Sequence, residues 1–209
     1  MIHSDVYNWK NEKYLPALAV AELFSEKYCT LPIEALNHLS LMINTTVYTK
    51  GEIILNIGQT AKDILYVEKG ILRQYYFKDD FEITEHFTCN SQVTFCIESL
   101  FEKKPTKLLI EAVETSIIHA IPYQGIVDLT HHYPAAIQLL QKILETSLII
   151  SQKKADSWRL STASERYKRF MKEYPSALLR APVKHIASYL SMAPESLSRI
   201  RKTIAKIVE

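Results

Sequence analysis

Residues 182–208 read PVKHIASYLSMAPESLSRIRKTIAKIV. Pro182 suits a first helical position, where its missing N–H costs nothing. Ile186, Ala187 and Leu190 give one short apolar face. Ser191-Met192-Ala193 breaks the pattern. Pro194 restarts a helix, and Glu195 in its first turn complements the helix dipole. Leu197, Ile200 and Ile204 recur on one face, which turns Glu195, Ser196, Ser198, Arg199 and Lys202 outward. Small Ala187 lets the two helices approach closely. A helix, a short turn and a second helix with a free polar face form the pattern that DNA readers lay in a major groove. Arg can fork onto guanine and Glu can accept from cytosine. Lys184, Arg201, Lys202 and Lys206 are placed to meet phosphates. The plain alternative is a charged amphipathic helix that faces water.

The charge distribution agrees with the first reading. Residues 158–209 hold 11 Lys and Arg against 4 acidic residues, while the rest of the chain holds 14 against 19. A basic end on an acidic body suggests that only the C-terminal part meets a polyanion. The chain has 209 residues, 47% hydrophobic and 23% charged, which is globular composition and argues against wholesale disorder. No apolar run is long enough to span a membrane, and the N-terminus lacks the apolar run of a secretory signal, so a cytoplasmic protein is expected. Cys29, Cys89 and Cys96 are irregularly spaced and support neither a zinc ribbon nor a disulfide framework.

Upstream, three patterns succeed one another. Residues 14–44 have helical spacing, with Leu15, Leu18, Leu23 and Phe24 before Pro32 and Leu36, Leu39 and Ile43 after it. From Val47 to Ile121 the runs are short and β-rich: TVYTKGEIILNIGQ, DILYVEKGILRQYYFKDDFEITEHF and TKLLIEAVETSIIHAI. Gly51, Gly58 and Gly70 fall between apolar runs, and Asp79-Asp80 reads as a hairpin turn. Such strands predict an antiparallel sandwich or roll. After Tyr133-Pro134 comes the long helical segment AAIQLLQKILETSLIISQKKADSWRL. Its stripe of Ile137, Leu140, Leu144, Leu148 and Ile150 must be buried on its own roll or against the same helix of a second chain. Thr162-Ala163-Ser164-Glu165 begins a further helix, which Tyr174-Pro175 ends.

With these segments in order, IASYLSMAPESLSRIRK resembles the DNA-recognition motif of the Crp/Fnr transcription regulators, closest to the branch often seen in Bacteroidetes-type bacteria. YTKGEIILNIGQ and YVEKGILRQYY resemble that family's β-roll strands, and EITEHF the strand after its hairpin. KPT…IEAVE resembles the segment behind its effector pocket, and SERYKRFMKEYP the helix ahead of its DNA module. The resemblance implies an α+β fold in three parts. Residues 1–133 would form a cyclic-nucleotide-binding-like β-roll, 134–160 a long dimerisation helix, and 161–209 a helix-turn-helix (winged-helix-like) domain. It implies a homodimer on a palindromic DNA operator and no enzymatic activity. Glu195 and Arg199 fall on base-reading positions, Ser196 and Lys184 near phosphate-contacting ones. Three departures stand out. Ser191 replaces the usual turn glycine. Ala193 replaces the usual Ser or Thr cap, which costs about 1 kcal/mol locally. Pro194 replaces a base-contacting Arg of some members. The chain ends at Glu209, so a C-terminal wing hairpin is not expected.

Family members that sense cyclic nucleotides use a Gly-Glu pair and an Arg. The matching stretch here is FCIESLFEKKPTKLLIEAV. Ile97 precedes Glu98, and Pro105, Thr106 and Lys107 fill the region of the missing Arg. Lys107 lacks a bidentate fork. Glu98, Ser99, Thr106 and Lys107 are thus the candidate effector-pocket residues, and a cyclic nucleotide is not the expected ligand. No cofactor or metal is expected. Three scattered cysteines cannot hold an iron–sulfur cluster. His86 and His119 lie apart, and His131-His132 do not share a helix face, so a cupin-type metal enzyme is a weak rival. The nearer alternative is a small-molecule sensor whose DNA module is vestigial.

Overall fold

The computed structural model describes the backbone of residues 14–208 and the side chains of residues 14–204. Two helices lead in, α1 (Ala17–Tyr28) and α2 (Ile33–Met42). Eight strands follow: β1 (Asn44–Tyr48), β2 (Ile53–Leu55), β3 (Asp63–Lys69), β4 (Leu72–Lys78), β5 (Phe81–Thr88), β6 (Gln92–Thr94), β7 (Leu109–Ala112) and β8 (Ser116–Pro122), with the short helix α3 (Ile97–Glu102) between β6 and β7. They form two antiparallel four-stranded sheets, ordered β1-β8-β3-β6 and β2-β7-β4-β5.

Strand alternation sorts the side chains. Leu65, Val67, Leu72, Ile110, Ala112 and Ile118 point between the sheets and form the interior of the roll. Ile64, Tyr66 and Ile121 point from the opposite face of the first sheet into a larger core beneath the helices. The β4–β5 hairpin turns on Asp79 and Asp80, with φ of 48° and 64° and with Lys78 paired to Phe81. Two positive φ values in a two-residue loop match the strand twist, and Asp tolerates them. At Gly70 a side chain is excluded by space: a Cβ there would lie 2.1 Å from Ser116 Oγ.

Helix α4 (Tyr123–His132) leads to α5 (Ala135–Leu160), a single helix of 26 residues. Its core face is Ala136, Leu139 and Ile143, which join α1, α2 and α4 around Phe24, Leu39 and Leu129. The stripe read from the sequence is mostly a different one. Ile137 is 54% and Leu148 70% exposed, Ile150 is also exposed, and Leu140 and Leu144 are half-buried.

Four helices complete the described chain: α6 (Ala163–Glu173), α7 (Pro175–Arg180), α8 (Val183–Tyr189) and α9 (Pro194–Val208). Thr162 and Glu165 form a reciprocal capping box at the start of α6, satisfying two otherwise orphaned N–H groups. Pro175 does more than stop α6. It opens α7, where its fixed φ fits a first turn. No strand occurs among the described residues after Pro122. The three cysteines are free thiols. No helix of the described residues is long and apolar enough to cross a membrane.

Candidate nucleic-acid interface

Helices α8 and α9 are joined by Leu190–Ala193. Ser191 adopts a left-handed φ of 52°. Its N–H donates to Ser188 O and the Met192 N–H to Ala187 O, both at 3.0 Å. These paired bonds are a Schellman motif and satisfy the last carbonyls of α8. The left-handed residue explains why glycine suits this place, and Ser191 fills it at some conformational cost. Ile186, Ala187 and Leu190 are buried, and Leu197 of α9 is buried against them. Ile200 and Ile204 pack beside this core.

The opposite face of α9 is free. Glu195, Ser198, Arg199 and Lys202 are exposed, Ser196 is half-buried, and Lys184 on α8 is exposed. The Ser198 hydroxyl donates to Pro194 O at 3.0 Å and can turn outward to a partner. Arg201 is half-buried rather than fully exposed. Its guanidinium carbon lies 5.9 Å from the Tyr167 ring centroid, with Nε and Nη2 buried and without hydrogen-bond partners among the described residues. Lys206 lies outside the described side chains.

The helical module is docked on the roll. Phe87 of β5 meets Phe170, Tyr174 and Tyr189 at ring-centroid distances of 5.8, 6.4 and 5.6 Å. The Thr84 N–H donates to Ser188 Oγ, and the Ser188 hydroxyl donates to Glu82 O, both at 2.8 Å. Beneath them lies Arg73, only 1% exposed. It donates to Thr84 Oγ1 (2.9 Å), Glu82 Oε2 (2.7 Å), Glu111 Oε1 (2.9 Å) and His185 Nε2 (2.9 Å). Because arginine only donates, His185 accepts at Nε2 and carries its proton on Nδ1. Burial, then the charges of Arg73 and Lys184, push the His185 pKa down to about 4. Glu82 is held below the usual carboxylate range by Arg73, against the opposing effect of burial. No periodicity in the sequence could pair Arg73 with His185.

The candidate effector-pocket residues divide between the surface and the interior of the roll. Glu98 and Lys107 are exposed. Ser99 is buried, accepting from the Ala61 N–H (2.9 Å) and donating to Lys104 O (2.6 Å). Thr106 is buried and accepts from the Leu108 N–H at 2.9 Å. The two hydroxyls thus hold loops together. None of the four residues lines either of two cavities, of about 350 and 260 Å³, which lie elsewhere. The larger one opens where β5, β6, α5 and the C-terminal helices meet. Among the described residues, no cluster of three or more His, Cys, Asp or Glu side chains is arranged to hold a metal.

No protein-family model matches the chain, and no curated protein matches it by sequence. Solved structures do. FixK2 from Bradyrhizobium japonicum is similar with a TM-score of 0.69 at 18% identity, over 78% of this chain and 85% of that one. The c-di-GMP responsive global regulator CLP from Xanthomonas campestris gives 0.64 at 14%, over 84% and 92%. A protein described as a Crp/Fnr-family transcriptional regulator from Eubacterium rectale gives 0.63 at 18%, over 84% of each chain. At these identities the likeness is one of fold: with its antiparallel roll, long helix and C-terminal helices, the chain has the fold of the Crp/Fnr regulators.

Proposed function

We propose that this protein is a sequence-specific DNA-binding transcription regulator of the Crp/Fnr type. One observation carries the reading: a helix-turn-helix pair whose second helix buries Leu197 and presents Glu195, Ser198, Arg199 and Lys202 to solvent. Arg199 and Glu195 read base edges. Lys184, Ser196, Ser198 and Lys202 position the helix on phosphates. Residues 1–133 serve as the sensing domain, 134–160 as the connecting helix and 161–209 as the DNA module. The protein acts as a homodimer through the free stripe of α5, where Ile137 and Leu148 are exposed beside Leu140 and Leu144. Two recognition helices then meet a palindromic operator with half-sites about 34 Å apart.

The test is fluorescence anisotropy against the protein's own upstream DNA and a scrambled duplex at two salt concentrations. Preference for the upstream DNA that persists at the higher salt is expected. Equal, salt-sensitive binding to both would reduce the basic face to a polyanion-attracting surface. The cavity beside the docked module favours a second reading, a small-molecule sensor with a vestigial DNA module. Indifference to DNA at every salt concentration, with a ligand that raises Tm, would select it.

A further inference from the structure

The 350 Å³ cavity has walls from four places. Lys27 and Tyr28 come from α1, and His86 and Val93 from the edge strands β5 and β6. Lys154 and Trp158 come from the distal half of α5. Arg166, Phe170 and Tyr189 come from the DNA module. Its volume falls at the small end of the range for ligand pockets, roughly 300–1,000 Å³.

Its charge is unbalanced. Five cationic side chains line it against one carboxylate, Glu173, which Arg169 already engages at 2.7 Å. Three of the other four are anchored on carbonyls. Lys27 donates to Ser91 O (2.9 Å), Lys154 to Glu85 O, and Arg166 to Leu190 O (3.1 Å) and Ser161 O (2.9 Å). A carbonyl fixes an ammonium or guanidinium in place without cancelling its charge. Lys154 Nζ also lies 4.6 Å from the Trp158 ring centroid and 5.5 Å from that of Tyr189. Burial pushes the pKa of Lys154 down to about 8, with Glu85 opposing, as expected for a cation short of a counter-ion. Positioned cations beside flat aromatic faces are complementary to an anion attached to a ring.

We infer that this interdomain cavity binds a small aromatic anion, a flat ring bearing a phosphate or carboxylate, and that this ligand controls the DNA module. The control follows from the walls. A ligand that touches the roll edge, α5 and the C-terminal helices together binds the docked arrangement better than any undocked one. It therefore shifts the population toward docking. The binding site stands on its own geometry, while the control rests on the DNA-binding reading above.

Calorimetric titration of the full chain tests it with four probes: 1-naphthyl phosphate, 1-naphthoate, uncharged 1-naphthol and inorganic phosphate. At least one aromatic anion is expected to bind about tenfold more tightly than naphthol or phosphate. The phosphate and carboxylate arms distinguish the acid group. Lys154→Gln and, independently, Lys27→Gln are expected to weaken that anion about fivefold or more, while Lys142→Gln, an exposed cation on α5 away from the cavity, leaves it unchanged. Naphthol binding as tightly as the anions would overturn the assignment, as would unchanged affinity in a folded Lys154 or Lys27 variant. Saturation with the bound anion should change affinity for the upstream DNA by about fivefold or more. Unchanged DNA affinity would overturn the control. Absence of DNA binding in both states, with the calorimetric pattern intact, would overturn the regulator reading and leave the cavity assignment standing.

Discussion

The interior of the roll and the seam between roll and helical module are built from opposite materials. Between the sheets, Leu65, Val67, Leu72, Ile110, Ala112 and Ile118 form an apolar cluster. At the seam, Arg73, Glu82, Glu111 and His185 lie beside the rings of Phe87, Phe170, Tyr174 and Tyr189. Apolar burial is non-directional and tolerates small adjustments, so the roll is held by many interchangeable contacts. A buried guanidinium demands its partners in place, because a lone buried charge costs several kcal/mol. The roll is thereby made robust, and the seam specific to one docking geometry.

The sharpest way to break this contrast is Arg73→Ala. It leaves Glu82 and Glu111 without their cation, and the expected loss is about 3–5 kcal/mol by denaturant unfolding. Loss of the docked arrangement should also show as faster hydrogen exchange along α8 and β5. Ile110→Ala is expected to cost about 2–5 kcal/mol without selective exchange at the seam. Equal exchange patterns in the two variants would erase the distinction.

Arg199→Ala lies on neither side of the contrast. It should weaken binding to the specific operator by about 1–3 kcal/mol, and an unaltered anisotropy curve would remove Arg199 from the reading face. Stability should stay within about 0.5 kcal/mol of the parent, since Arg199 is exposed.

Mild acid should act first on the seam. His185 and His86 both have pKa values pushed down to about 4 from 6.5, His185 by burial and then Arg73, His86 by burial and then Lys154. Between pH 6.5 and 4 the undocked or unfolded chain therefore binds more protons than the docked one. Stability rises with pH across that window and falls on acidification, by up to about 1.4 kcal/mol per pH unit for each histidine. Tm should drop from pH 7 to pH 5, and His185→Gln should flatten that slope. A slope unchanged by the substitution would acquit His185. The smallest effect is expected of Thr162→Ala, about 1 kcal/mol from loss of the α6 cap, read by thermal unfolding.

The parts of the molecule governed by neighbours in sequence were legible from it. Pro182 and Pro194 mark two helix starts, Asp79-Asp80 a hairpin turn, and Thr162 to Glu165 a third helix start, because each rests on contacts within four residues. Helix α7 was hidden because Pro175 both ends one helix and begins the next. On α5 two apolar stripes interleave, Ala136-Leu139-Ile143 and Ile137-Leu140-Leu144-Leu148, and spacing alone does not say which faces the core. That Arg201 lies beside the Tyr167 ring was not legible either, since a long cationic side chain can lay its stem along an apolar surface that only the fold supplies. The candidate site divides the same way. The outward face of α9 followed from helical periodicity, while the Arg73–His185 contact joins residues 112 apart and the cationic cavity brings Lys27 to Tyr189.

Helix α5 has a mechanical consequence. Its 26 residues make a rod about 39 Å long. Near its start it is embedded in the core at Ala136, Leu139 and Ile143; near its end it borders the cavity at Lys154 and Trp158. With the first part acting as a fulcrum, a tilt of about 5° carries the far end through roughly 3 Å over such a length. Ser161 and Thr162 pass that displacement directly to the capped start of α6. A molecule no larger than a single pair of fused rings, wedged at the far end of this lever, would have purchase on the angle at which α6 and the proposed reading helix α9 are held.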